Sequence, residues 1–136
     1  MSRRTAREQA YKLIFQSLFH QDNEADEAEA QELLADASLS DDDKAYIREV
    51  VDGVAAKFDE LKECISRNLK NFSYDRVFKP DLAALYLATY EMKYGGIPAA
   101  VAISEVVDLV KVYGSESSGK FVNGVLAGVF KETEGN

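Results

Sequence analysis

Residues 80–94 read PDLAALYLATYEMKY, and this stretch decides the fold. Leu82, Ala83, Leu85, Tyr86, Leu87, Tyr90 and Met92 make it apolar on most sides at the helical period. A helix that is apolar all round belongs inside, with other helices packed about it. Pro80 suits the first turn, where no backbone N–H is needed, and Gly95-Gly96 stops the helix.

Working outward, the flanking segments show the single apolar stripe expected of helices that cover such a centre. Upstream, Ile47, Val50, Val51, Val54, Phe58, Leu61, Ile65 and Leu69 sustain a stripe across residues 45–69. That is long for one globular helix, so a break is expected near Phe58-Asp59. Ser40, followed by Asp41-Asp42-Asp43, reads as an N-cap with acids set against the helix dipole rather than as a carboxylate metal site.

The first helix carries Ala10, Tyr11, Ile14, Phe15 and Leu18 on one face. Thr5 and Glu8 fit a capping box that would leave Arg3 and Arg4 just ahead of it, with Ser2 the alternative cap. Residues 24–37 have good helix formers but little apolar surface, which predicts a peripheral helix. Downstream of residues 71–79, a connection, and of the central helix, Pro98 opens a helix through Val101, Ile103, Val106, Leu109 and Val110 to Tyr113. Gly114 is expected as its left-handed cap. A last helix bears Phe121, Val122, Val125, Leu126, Val129 and Phe130, with Gly124 and Gly128 placed for close approach of a neighbour. The expectation is an all-α chain of about seven helices.

The net charge of −8 argues against general adhesion to nucleic acid, but it is unevenly spread. Residues 22–63 hold fifteen acids against four bases, whereas residues 1–12 hold Arg3, Arg4, Arg7 and Lys12 against Glu8. No apolar run approaches the length of a membrane span, and the basic start lacks the apolar segment of a signal peptide. A cytoplasmic protein is expected. Cys64, the single cysteine, excludes an internal disulfide and is read as a semi-buried small hydrophobe. The single histidine, His20, has no nucleophile to serve and is read as a helix-end residue. No phosphate loop, metal-ligand spacing or catalytic constellation is present, so no enzyme, cofactor or metal is expected.

Two features point to binding. Arginine's planar fork of donors suits phosphate, and Arg3, Arg4 and Arg7 cluster at a terminus able to fold onto RNA. Residues 113–126, YGSESSGKFVNGVL, put hydroxyls, Lys120 and the rings of Tyr113 and Phe121 at a loop-to-helix junction. Aromatic faces beside a cation suit single-stranded bases. The competing reading makes both rings core and the serines helix caps.

Taken in order, RRTAREQAYKLIFQ at 3–16, LATYEM at 87–92, IPAAVAISEVVDLVKVYG at 97–114 and SGKFVNGVL at 118–126 resemble the NusB family of bacterial transcription antitermination factors. The resemblance spans essentially the full chain. It implies one domain, 1–136, of two small helical bundles, with an N-terminal subdomain of about 1–72 and a C-terminal one of about 73–136. It implies a non-catalytic protein that pairs with the small-subunit ribosomal protein NusE. The pair would hold boxA RNA and help RNA polymerase through ribosomal RNA operons.

Carried over residue by residue, the resemblance makes Arg3, Arg4 and Arg7 the N-terminal RNA contact. It gives Tyr113, Glu116, Ser117, Lys120 and Phe121 a second RNA-facing surface, and it turns Asp81 toward NusE. Asn123 would hold the junction together. Thr5 stands where a further base is common and Ser117 where an acid is common, so both weaken the match. Ser104 and Asp108 replace the commoner Asn and Glu. Two rival expectations are an adaptor that binds protein only, and an RNA-binding module like that carried by some RNA methyltransferases.

Overall fold

A computed structural model of the chain describes residues 3–19, 27–36, 38–70 and 72–134. Within them the chain forms seven α-helices: α1 (Arg3–Ser17), α2 (Glu27–Leu34), α3 (Asp41–Ala56), α4 (Phe58–Arg67), α5 (Lys79–Lys93), α6 (Ala99–Tyr113) and α7 (Ser118–Glu134). A 3-10 turn, Tyr74–Arg76, lies in the connection before α5. Among the described residues there is no strand, and no helix is long and apolar enough to cross a membrane. His20 and Ser2 lie outside the described residues, as do both ends of the 24–37 stretch.

The central role read from residues 80–94 holds. Every α5 residue from Pro80 to Glu91 is buried. The helix packs against α1, α3 and α4 from the first half of the chain and against α6 and α7 from the second. Tyr11 on α1 donates its hydroxyl to the Pro80 carbonyl at 2.8 Å, and Tyr86 is satisfied by Tyr74 at 2.7 Å while stacking on Phe58. Gly53 on α3 lets the Tyr90 ring lie against the α3 backbone: a Cβ at 53 would overlap that ring.

The long apolar stripe does break, at Lys57, which closes α3 and opens α4. Ser40 caps α3 as expected, accepting from the Asp43 N–H at 3.1 Å. Three local readings need correction. The first is the capping box: α1 begins at Arg3, so Arg3 and Arg4 sit in its first turn, Thr5 is inside the helix, and Glu8 accepts from Tyr113. Second, Gly114 is not left-handed; its backbone is extended, and it is small because a Cβ there would meet Ser118 Oγ at 2.5 Å and the Val110 carbonyl at 2.8 Å. Third, of Gly124 and Gly128 on α7 only Gly128 admits a close neighbour, the Asn68 side chain, whereas a Cβ at Gly124 would enter open space.

Candidate functional site

The N-terminal arginines occupy three different environments. Arg7 is withdrawn from solvent, at 5% exposure. Its Nε and Nη2 donate to the two oxygens of buried Glu91 at 2.8 and 3.0 Å, and its Nη1 reaches Glu105 at 3.2 Å. Tyr46 completes the cluster by donating to Glu91 at 3.1 Å. Burial alone would lower the Arg7 pKa, but hydrogen bonding to Glu91 and its charge outweigh that, so the pKa rises. The expectation that Arg7 is a solvent-facing phosphate contact is therefore corrected. Desolvation makes the carboxylate its partner, and releasing it to RNA would leave Glu91 buried without a counter-charge.

Arg3 and Arg4 stay accessible. Arg3 donates to Asp43 at 3.2 Å and lies 4.4 Å over the Tyr46 ring. Arg4 pairs with Asp108 and lies 3.8 Å from Glu105. Arg4, Glu105, Asp108 and Val112 line a small cleft of about 280 Å³ between α1 and α6.

The 113–121 junction divides. Tyr113 turns toward α1: its hydroxyl donates to Glu8, Lys12 lies 5.7 Å over its ring, and the ring lies 5.6 Å from that of Tyr11. With Lys12, Phe15, Gln16 and Pro80 it lines a cleft of about 290 Å³. Ser117, Lys120 and Phe121 line a different depression. Glu116 is exposed and lines neither cavity. Asn123 does not hold the junction; it is exposed on α7. Buried Ser118 does this, accepting from the Ser115 N–H at 2.8 Å.

The second depression is an open groove of about 950 Å³. One wall is the face of α7 that carries Lys120, Phe121 and Lys131; the other is the connection with Lys70, Phe72, Arg76 and Phe78. Asp81 also lines it, at the start of α5. It is 5% exposed, and its Oδ1 has no hydrogen-bond partner. Burial raises its pKa, against the lowering effect of the Ser118 hydroxyl.

Sequence reasoning missed Lys70, Phe72, Arg76, Phe78 and Lys131. A signal existed for Lys131, which follows Lys120 by eleven residues, or three helical turns, and so shares its face. Cys64, read as semi-buried, is more deeply buried than that, and its Sγ donates to Glu132 at 3.3 Å.

With this geometry in hand, comparison with known proteins is direct. The family model described as the NusB family matches residues 4–131. The transcription antitermination protein NusB of Acetivibrio thermocellus is 41% identical over 132 residues, 96% of this chain and 90% of that protein. The solved structure of T. maritima NusB superposes with a TM-score of 0.87 at 34% identity, covering 97% of this chain and 92% of that one. A crystal structure of antitermination factors NusB and NusE in complex with double-stranded RNA contains a chain that matches at TM-score 0.81 and 26% identity, with 96% of each chain covered. A buried core helix, an ordered junction at 113–121 and full-length agreement with these relatives lead to one conclusion: this chain belongs to the NusB family of transcription antitermination factors.

Proposed function

We propose that this protein binds single-stranded boxA-type RNA jointly with ribosomal protein NusE, as part of an RNA polymerase elongation complex transcribing ribosomal RNA operons in the cytoplasm. The observation that carries this reading is the similarity to a chain solved together with NusE and RNA. The surface is consistent with it. Arg3 and Arg4 are accessible on α1, and Ser117, just ahead of α7, and Lys120 and Phe121 on its first turn offer a hydroxyl, a cation and a ring. Tyr113 links the two regions through Glu8. Asp81, buried with an unpaired oxygen, is the acid assigned to NusE.

With Arg7 internal, phosphate neutralisation falls to Arg3, Arg4 and Lys120. At about −0.7 per contact, the log–log salt dependence of single-strand binding should have a slope of roughly −2. Titrating boxA-like and scrambled RNA at several salt concentrations, with and without NusE, tests this. Equal affinity for both RNAs under every condition would overturn the sequence-selective part. An intact NusE complex without RNA binding at any salt would favour the protein-only adaptor.

A further inference from the structure

We propose that Asp43 and Tyr46 on α3 form a seat for the Arg3 guanidinium that leaves its two terminal nitrogens free for an RNA phosphate. Both are then positioning residues for RNA binding, and the proposal rests on the RNA-binding reading above.

The seat is set by the start of α3. Ser40 accepts from the Asp43 N–H and fixes the first turn, and Tyr46 follows Asp43 by three residues, on the same side of the helix. Both are buried, Asp43 at 4% exposure and Tyr46 at 8%. The Tyr46 hydroxyl donates to Glu91 in the core at 3.1 Å, which anchors the far end of the ring. What meets Arg3 is a fixed ring face with a carboxylate beside it. A platform of that kind suits a guanidinium, which stacks by its plane and donates by its edge.

Arg3 uses it in that way. Its Nε donates to Asp43 Oδ1 at 3.2 Å, and its central carbon lies 4.4 Å over the Tyr46 ring. Among the described residues no acceptor meets its Nη1 or Nη2, and the side chain stays 47% exposed. Those two nitrogens lie abreast, the arrangement that takes two oxygens of one phosphate. An arginine already ordered by ring and acid gives up less rotamer freedom when the phosphate arrives.

The neighbouring arginine shows the contrast. Arg4 has its Nη2 taken by Asp108, and its Nε lies 3.8 Å from Glu105, so a phosphate there must displace an acid. At Arg3 the acid holds the nitrogen that an end-on phosphate does not need. The two acids therefore act with opposite sign: Asp108 opposes RNA, and Asp43 favours it. A bare structural tie between α1 and α3 predicts no such sign.

The test uses the full chain and a short fluorescein-labelled boxA-type single strand. Anisotropy is read in low salt, with and without NusE, at a temperature where circular dichroism shows each variant folded. Arg3→Ala should weaken binding about fivefold and lower the salt slope by about 0.7. Arg3→Lys keeps the charge but not the fork, so the slope should stay while affinity falls about threefold. Asp43→Ala should weaken binding about two- to threefold although it removes a negative charge. Tyr46→Leu removes the platform and should weaken it about two- to fivefold; Tyr46→Phe should recover most of that loss although it forfeits the bond to Glu91. In the Asp43→Ala chain, Arg3→Ala should cost at most about twofold more.

Asp43→Ala and Arg3→Lys decide the matter even where Tyr46→Leu fails to fold. If Arg3→Ala weakens RNA binding while Asp43→Ala binds as tightly as the wild type or more tightly, the seat is overturned and the RNA-binding reading stands. Losses that multiply in the double variant also overturn it, because the acid then acts elsewhere than through Arg3. If Arg3→Ala leaves binding unchanged, the seat has nothing to present and the proposal falls. If the wild type binds no RNA, both readings fall.

Discussion

Arg7 and Glu91, 84 residues apart in sequence, meet edge to edge, with both guanidinium–carboxylate bonds at or under 3.0 Å and both side chains buried. The pair joins α1 to α5, and Glu105 and Tyr46 bring α6 and α3 to the same point. Removing Arg7 leaves Glu91 without a counter-charge in a low-dielectric setting, and removing Glu91 leaves Arg7 with only the more exposed Glu105. Arg7→Ala and Glu91→Gln should each destabilise the fold by about 3–5 kcal/mol in urea titrations. At a temperature where the protein is still folded, Arg7→Ala should change RNA affinity less than Arg4→Ala does. The reverse order would restore Arg7 as a direct RNA contact.

Gly124 and Gly128 of α7 predict opposite signs. Gly124→Ala gains helix propensity with nothing to strike, and should stabilise by up to about 1 kcal/mol. Gly128→Ala drives a Cβ into Asn68 Oδ1 and displaces an amide that bonds the Cys64 carbonyl and Glu132. Losing those bonds should outweigh the propensity gain, for a net loss of about 1 kcal/mol. Thermal melts of the two variants decide it.

Arg4 is held by an acid at the surface, and that acid competes with any phosphate. Asp108→Asn should raise RNA affinity about two- to fivefold in low salt, in line with the small worth of exposed pairs, and the gain should vanish in high salt. An unchanged low-salt affinity would remove Arg4 from the RNA surface.

Asp81 stores instability. Its raised pKa means that folding takes up a proton between the unfolded and folded values. Stability is therefore greatest below the unfolded pKa and falls as pH rises through the folded one. Asp81→Asn removes that charge and should stabilise by about 1 kcal/mol at neutral pH, with the advantage lost in acid. The same variant should weaken NusE binding. Denaturation at the two pH values, beside a NusE titration, reads both effects.

Cys64 should be inert. Burial, followed by the hydrogen bond to Glu132, pushes its thiol up to about 11, against an ordinary cysteine near 8.5. Less thiolate and no access predict alkylation at mildly alkaline pH at least about a hundredfold slower than in the urea-unfolded chain.

Features set by local rules were legible in the sequence. The Ser40 cap and the break at Lys57 depend on a few neighbouring residues, and the burial of α5 depends on its own composition. Arg7 was misread although the period held the answer: it lies three, four and seven residues before Ala10, Tyr11 and Ile14, on their buried stripe. The rule that charge faces water was given more weight than the period. Its exception needed Glu91, on a helix far along the chain, and nothing local marks two distant residues as partners. The same limit hid the groove. Lys131 was periodic with Lys120, but Lys70 and Phe72 oppose them only once the chain has turned back through α5.

Among the described residues α5 is wrapped by helices from both halves of the chain, so a cut just ahead of it would open the core on both sides. A nick in the 70–78 connection would leave α1, α3 and α4 around an empty trough, and α5 to α7 with one flank of their core bare. Neither piece should hold its shape alone. Mixed in equal amounts, the two should reconstitute the native circular-dichroism spectrum by fragment complementation, with each piece templating the other.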